Sequence, residues 1–302
     1  MSETPTVDLS KMAEQTPDYD GPPGEAISDE QRAAAIEDFN KADRPDVPVI
    51  DEPRPGTLPL MHGVKIDDEW HRTATVRELN GADEEALAKL NRRAWNYNTQ
   101  VQDTIVKRAT VSIGEIDATT AEGKKVLGDL ILGDRDLLFS ETLLCTYGRT
   151  MDVEGVRCPH CDAIQDFGID FDLLLDIGKI PEGIDPDGFD VEVLSDRNDP
   201  SSMHTYTIRY PRGRDQLIVW GGDEEKSNAQ IDTEILVRVM LGIDGKPVLD
   251  AKKWALEAPK LVRRDLIAEL MKQPLVRFKE VEVPCVECAV EIPTAIGWAD
   301  LL

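Results

Sequence analysis

Cysteine is the residue type in this sequence whose spacing points most directly to chemistry. Four of the five cysteines form two Cys-x-x-Cys pairs, Cys158 with Cys161 and Cys285 with Cys288, which are separated by 123 residues. In a reducing compartment, such pairs are more often metal ligands than disulfides. Two of these knuckles facing each other supply four thiolates in the tetrahedral geometry that zinc prefers. The spacing therefore predicts one structural zinc site shared by the two pairs.

A closed site of four thiolates leaves no coordination position for an activated water, so it indicates a structural role rather than catalysis. Two unrelated pairs, or a redox disulfide, are the alternatives that the spacing leaves open. His160 lies inside the first knuckle, and we expect its side chain to point outward. Cys145 lies in the apolar run 143–145, where we expect a small buried core residue rather than a reactive thiol.

Sequence motifs of the common enzyme classes are missing. The segment 284–288, Pro-Cys-x-x-Cys, matches half of the zinc-deaminase signature, but none of the four histidines is followed two residues later by the required glutamate. The sequence also lacks a phosphate-binding P-loop, a dinucleotide-binding glycine motif, a nucleophile elbow and a zincin motif. We therefore predict that the protein is not an enzyme, and we assign no catalytic residue.

The charge of the chain is strongly acidic, with 59 acidic and 34 basic residues and a formal net charge of -25. Such a surface repels phosphate backbones and anionic lipids, and self-repulsion keeps it soluble. No apolar run approaches the roughly 18 residues of a membrane-spanning helix, and the N-terminus lacks a signal-peptide pattern. We expect a cytoplasmic protein with no nucleic-acid and no membrane partner.

The elements that must position the cysteines follow a distinct N-terminal segment. Residues 1–60 hold nine of the nineteen prolines and fourteen acidic against five basic residues, which predicts an extended acidic arm. Ser28 and Gln31 form a capping box that predicts a docking helix at 29–41, and a marginal helix within a linker is the alternative. Folded structure is predicted to begin near Val64.

The fold class predicted for the rest of the chain is α+β, with a mainly helical region at 61–150 and a zinc-ribbon β domain at 151–302. Residues 165–280 form a long α/β insertion in that domain, and no internal repeat is evident. The elements predicted in the helical region are a strand at 70–79, a long helix at 82–108, a strand at 111–116 and a helix from Asp134 to Gly148. Those predicted in the insertion are a hairpin at 205–220 and helices at 227–241, 250–256 and 259–272.

Several short motifs give the chain a family resemblance. Leu-Gly-Asp-Arg-Asp-Leu-Leu at 132–138 is followed by Tyr147-Gly148, by Arg-Cys-Pro-His-Cys at 157–161 and by Phe-Asp-Leu at 171–173. With the acidic segment 76–85, this order resembles the baseplate-hub and tail-assembly proteins of tailed phages, of the T-even baseplate-hub type, over residues 73–220.

The resemblance implies a non-catalytic protein that helps to build, or forms part of, a phage tail tip or baseplate. Its implied partners are other phage tail and baseplate proteins, with several copies in a ring or hub. Its implied location is the host cytoplasm during assembly and then the virion tail or baseplate. The competing hypothesis is a zinc-ribbon regulator that binds transcription machinery or nucleic acid. That hypothesis predicts a basic face, whereas mostly acidic residues flank the knuckles.

Overall fold

The computed structural model describes residues 55–279 and 281–294, which lie within one compact unit. These residues form helices and antiparallel sheets, which confirms the mixed α+β class. The predicted docking helix at 29–41, and the predicted arm as far as residue 54, lie outside the described residues. Strand β1 begins at Pro55, so folded structure starts before the predicted position near Val64.

The first half of the described chain ends in the hairpin that carries the first cysteine pair. Its elements are β1 (Pro55–Ile66), β2 (Glu69–Arg77), α1 (Gly81–Ala88), α2 (Tyr97–Ala109), β3 (Thr110–Ile113), β4 (Ile116–Asp117), α3 (Ala121–Asp129), α4 (Leu132–Tyr147), β5 (Thr150–Arg157) and β6 (Ile164–Asp170). A short helix α5 (Phe171–Leu174) and strand β7 (Leu175–Ile177) follow.

The second half ends in the hairpin that carries the second cysteine pair. Its elements are β8 (Phe189–Leu194), β9 (Met203–Ile208), α6 (Gly213–Val219), α7 (Asn228–Val239), β10 (Met240–Ile243), β11 (Lys246–Pro247), α8 (Ala251–Glu257), α9 (Lys260–Leu270), β12 (Val276–Phe278), β13 (Val281–Pro284) and β14 (Glu291–Thr294). A 3-10 turn (Pro200–Ser202) precedes β9, and β12 pairs with β7.

The two halves repeat one architecture, so the prediction that the chain has no internal repeat is wrong. Each half contains a hairpin, two helices, a short strand pair, two more helices and a cysteine-bearing hairpin, in that order. The four-stranded sheets have the equivalent orders β1-β2-β3-β4 and β8-β9-β10-β11. The last long helix of each half, α4 or α9, packs on the hairpin that begins its own half. Each half has its own hydrophobic core.

An arginine–aspartate pair marks the repeat at the level of side chains. The guanidinium of Arg77 donates to both carboxylate oxygens of Asp83, at 2.6 and 3.3 Å. Arg209 donates to both oxygens of Asp215 in the same way, at 2.7 and 3.2 Å. Each arginine also donates to a main-chain carbonyl at the end of the second helix of its half, that of Arg108 or Arg238. The same contacts therefore fix the first helix of each half.

Three predicted helix ends agree with the structure, whereas the predicted start at Asp134 is wrong because α4 begins at Leu132, after the N-cap residue Ile131. Ser227 and Gln230 form the predicted capping box at the start of α7, and Asp250 caps α8. Gly148 is the C-cap residue of α4, as predicted. Helix α7 ends at Val239, two residues before the predicted end, because Met240 pairs with β9. Segments with strong local caps were therefore predicted well from the sequence.

Two element predictions are wrong for tertiary reasons. The single helix predicted at 82–108 is divided into α1 and α2, and the Asn96 side chain between them donates to the carbonyls of Trp220 and Gly222, at 2.8 and 3.0 Å. The hairpin predicted at 205–220 is a strand followed by a helix. Strand β9 pairs with β8 and β10 instead, and residues 213–219 form α6.

The start of α4, in the segment 132–138 that carries the family resemblance, is held by buried polar contacts. The Asp134 carboxylate accepts hydrogen bonds from the main-chain amides of Met61, His62 and Gly63, at 2.5, 3.3 and 2.8 Å. The side chain of Arg135 is fully buried and pairs with Asp103 at 2.8 Å. This segment therefore ties α4 to β1 and α2.

Candidate metal centre

Two hairpins bring the predicted cysteines together. The first knuckle lies between β5 and β6, and the second lies between β13 and β14. In each knuckle the main-chain amide of the first cysteine donates to the carbonyl five residues later. These bonds join Cys158 to Ala163 at 2.8 Å and Cys285 to Val290 at 2.9 Å. The two turns therefore have the same backbone construction.

The residue after the second cysteine of each knuckle has a left-handed backbone. Asp162 has φ of 59° and Ala289 has φ of 57°. This conformation is unfavourable for an L-residue that has a Cβ atom, more so for alanine than for aspartate. Both knuckles use it to turn the chain back into the second strand of the hairpin. The matching turns are a further feature of the internal repeat.

Two separations between sulfur atoms of different knuckles match those of a tetrahedral metal site. The Sγ atoms of Cys158 and Cys288 are 3.7 Å apart, and those of Cys161 and Cys285 are 3.6 Å apart. All four ligand atoms lie within 4.8 Å of one another. Zinc–sulfur bonds of about 2.3 Å in a tetrahedron place the sulfurs about 3.8 Å apart, whereas a disulfide needs about 2.0 Å. The four cysteines could therefore hold one metal ion.

The thiols of the cluster differ in how readily they lose a proton. The main-chain amides of Cys288 and Glu287 lower the pKa of Cys285 to about 7. At Cys161 the amide of Ala163 also lowers the pKa, but the neighbouring thiols outweigh this effect and raise the pKa to about 12. One thiolate in the cluster therefore opposes ionisation of another. A divalent cation removes this conflict because it binds the thiolate form.

Gln165 is a site residue that sequence reasoning missed. It lies on β6, and its buried side chain joins the two knuckles. Its Nε2 donates to the carbonyl of Pro284 at 3.3 Å, and its Oε1 accepts from the amide of Val286 at 2.9 Å. The only sequence signal for this role is a polar side chain four residues after the second cysteine of the first knuckle. Gln165 thus aligns the second knuckle with the first.

The other two candidates lie outside the cluster. The His160 side chain is exposed, as expected, and its main-chain amide donates to the Cys158 sulfur at 3.4 Å. Cys145 is only half-buried and packs against the core of the first half, so the expectation of full burial is wrong. Burial and the nearby Glu141 carboxylate raise the pKa of Cys145, which makes it a poor nucleophile at neutral pH.

A second group of metal-ligand residue types lies between β1 and the segment before β8. The ligand atoms of His62, Asp185 and Asp187 come within 4.8 Å of one another. However, the Asp187 oxygen nearest His62, at 3.6 Å, already pairs with the Arg212 guanidinium at 2.5 Å. A cation bound there would face that guanidinium. We therefore assign the metal centre to the four cysteines alone.

No family model and no curated protein matches this sequence, and no solved structure matches this fold. Among the described residues, every helix is too short or too polar to cross a lipid bilayer.

Proposed function

We propose that this chain is a non-catalytic structural or assembly protein of a phage tail or baseplate, stabilised by one structural zinc ion and acting through protein–protein contacts. The convergence of two cysteine pairs, one from each half of the chain, is the observation that carries the proposal. Cys158, Cys161, Cys285 and Cys288 are the ligands. Four thiolates close the coordination sphere and leave no position for substrate or activated water.

The zinc ion would connect the ends of the two halves. Apart from the sulfur contacts, the Gln165 hydrogen bonds are the direct polar link that the structure describes between the knuckles. Structural zinc sites in small peptides contribute roughly 10 to 16 kcal/mol of apparent binding free energy, which exceeds the net stability of many domains. Zinc would therefore hold the two halves in a fixed orientation, as a scaffold for partners requires.

The residues that resemble the baseplate-hub group have structural roles. Burial raises the pKa of the Asp136 carboxyl to about 6, a shift that in a cleft would suggest general acid–base chemistry. That carboxyl instead accepts hydrogen bonds from Gln102, at 2.5 Å, and from the amide of Val276. With Asp134 and Arg135 also engaged in packing contacts, the motif at 132–138 supports a scaffold rather than an active site.

Exposed apolar side chains on the surface support a protein that binds other proteins. Leu249 is 96% exposed, Val286 is 74% exposed and Leu173 is 71% exposed. Val286 lies at the tip of the second knuckle. Apolar surface of this kind gains free energy when a partner buries it, at about 25 cal/mol per Å². The acidic charge of the chain would keep it soluble before assembly and would favour partners with basic surfaces.

The test is a capture experiment in cells that produce whole phage particles. The tagged wild-type chain is purified, the captured proteins are identified by mass spectrometry, and zinc is measured in the same sample. Finished particles are analysed separately. We expect tail or baseplate proteins together with one zinc per chain. Presence in finished particles identifies a virion component, and absence identifies an assembly factor.

Two variants separate the zinc-dependent role from nonspecific capture. Cys285→Ser removes a buried ligand and should abolish both zinc binding and capture of tail proteins. Cys145→Ser changes a cysteine outside the cluster and should retain both. Recovery of polymerase subunits or nucleic acid with the wild-type chain, in place of tail proteins, would contradict the proposal and favour the zinc-ribbon regulator.

A further inference from the structure

A basic cleft lies where α2, α3 and α6 meet, at the junction of the two halves. It has a volume of about 580 Å³. Its walls carry one carboxylate, Asp129, and five cationic side chains: Lys107, Arg108, Lys124, Lys125 and Arg214. This concentration of positive charge is unusual for a chain whose formal net charge is -25. The cleft therefore differs in sign from the surface of the protein as a whole.

The Asp103 carboxylate, close to the basic cleft, forms ion pairs with two cations. It lies 2.7 Å from the ammonium of Lys107, which lines the cleft, and 2.8 Å from the buried guanidinium of Arg135. Because Arg135 is fully buried, Asp103 is needed to compensate its charge. One negative charge therefore serves both cations, and part of the charge of Lys107 is left uncompensated.

The Asp83 carboxylate also forms ion pairs with two cations. It lies 2.8 Å from the guanidinium of Arg108, which lines the cleft, and 2.6 Å from that of Arg77. A third carboxylate, Asp129, pairs with Arg214 at 2.6 Å. Counting Arg77 and Arg135, five cations thus share these three carboxylates. With the two other lysines of the cleft, seven cations exceed the three carboxylates by four positive charges.

Two lysines account for the most accessible part of this excess. Lys124 and Lys125 are exposed on α3 and make no ion pair with any residue in the described part of the chain. Gly128 and Leu217 are the uncharged residues that line the cleft. The helices that carry these side chains pack against each other, so the backbone positions of the cationic residues are fixed relative to one another.

We propose that the basic cleft binds an acidic segment of a partner protein, a short stretch rich in aspartate and glutamate. Carboxylates on such a segment can pair with Lys124, Lys125 and Arg214 while its uncharged atoms contact Gly128 and Leu217. A nucleic-acid strand is disfavoured because it would extend beyond the cleft, and screening over about 8 to 10 Å would not hide its phosphates from the acidic surface. The inference rests on the proposed function only for the identity of the partner.

The test uses a charge-reversed double variant of the full-length chain with a matched control. K124E/K125E reverses the two exposed lysines of α3. K252E/K253E reverses two exposed lysines of α8, the corresponding helix of the second half, and changes the net charge by the same amount. The probe is a fluorescein-labelled oligoglutamate, and an oligothymidylate of equal charge serves for comparison. Fluorescence anisotropy gives each dissociation constant at low and high salt.

We expect oligoglutamate to bind the wild-type chain, to bind K124E/K125E about tenfold more weakly or worse, and to bind the α8 control as it binds the wild type. High salt should weaken the specific binding. If K124E/K125E loses its circular-dichroism spectrum, K124Q/K125Q removes the charge more gently and should weaken binding in the same direction.

Three results would overturn the inference: no binding to the wild-type chain at low salt, equal weakening in the two double variants, or tighter binding of oligothymidylate than of oligoglutamate. The last result would identify a nucleic-acid site. None of these outcomes depends on phage tail proteins, so failure here is distinguishable from failure of the proposed assembly function.

Discussion

The guanidinium of Arg135 packs directly against Gly213, the first residue of α6. A Cβ atom added at Gly213 would lie 2.5 Å from Cδ and 2.6 Å from Nη1 of Arg135. Arg135 belongs to the first half of the chain and Gly213 to the second. Neighbouring main-chain bonds, from the amide of Gly213 to the carbonyl of Leu130 and from the amide of Leu132 to the carbonyl of Pro211, join the same two segments. This contact is therefore a junction between the two repeats.

Gly213→Ala should destabilise the protein by about 1 to 3 kcal/mol, because the new methyl group overpacks a buried site whose arginine cannot move away without leaving Asp103. Gly81→Ala is the matched control. It stands at the equivalent position of α1 in the first half, and a Cβ there would meet no atom within 4 Å. Urea unfolding of both variants measures the effect. Equal midpoint urea concentrations for Gly213→Ala and Gly81→Ala would contradict the close packing of Arg135 against Gly213.

Asp136 should give the protein a pH-dependent stability of unusual sign. Burial raises the pKa of its carboxyl from 3.8 to about 6, so the folded state retains a proton that the unfolded chain releases. This contribution to stability is present below pH about 4 and is lost as the pH rises through about 6. Asp136→Asn, which cannot ionise, should become more stable relative to the wild type by about 1 to 2 kcal/mol between pH 5 and pH 7.5.

Urea unfolding of both proteins at the two pH values measures this difference, and comparison at equal pH cancels contributions from other groups. Asp176→Asn provides the control, because Asp176 is exposed on β7 and its substitution should leave the pH dependence unchanged. A stability difference between Asp136→Asn and the wild type that does not vary with pH would show that the buried carboxyl is not protonated in this range.

The metal centre should be specific to four of the five cysteines. We expect about one zinc per chain in the purified protein, and Cys158→Ser should reduce this to nearly none because a buried thiolate ligand is lost. The thermal midpoint should fall with it, since zinc binding in such sites is coupled to folding. Cys145→Ser should retain both the metal and the midpoint. Elemental analysis and calorimetry measure the two quantities, and zinc retained by Cys158→Ser would exclude the shared site.

Gln165→Leu should weaken the alignment of the two knuckles without removing a metal ligand. The substitution deletes the hydrogen bonds to the Pro284 carbonyl and the Val286 amide, which should cost about 1 to 3 kcal/mol because these partners are then left unsatisfied. We expect zinc content to be preserved and zinc release to a colorimetric chelator to accelerate. Gln165→Glu keeps the oxygen that accepts the hydrogen bond from the Val286 amide, so this variant should release zinc at an intermediate rate. If Gln165→Leu released zinc at the wild-type rate, the bridging role of Gln165 would be contradicted.

The sequence by itself determined the features that depend on local geometry. A Cys-x-x-Cys turn directs two sulfurs to one side, so the spacing of Cys158, Cys161, Cys285 and Cys288 identified a ligand set that the structure brings together. The caps at Ser227 and Asp250 satisfy amides within three residues, so the helix starts there could also be predicted. The mixed α+β class follows from the same local patterns.

Only the tertiary structure decided the features that depend on contacts between distant segments. Asn96, the residue before α2, donates to carbonyls more than 120 residues away, and Gln165 contacts a knuckle at a similar distance along the chain. The internal repeat is likewise seen in the matching contacts of Arg77 with Asp83 and of Arg209 with Asp215. Both pairs lie in the spacing Arg-x3-Gly-x-Asp, a short signal whose meaning becomes clear only from the repeated fold. The physical reason is that local hydrogen bonds and turns are encoded by neighbouring residues, whereas the choice among packing partners is made by the folded chain as a whole.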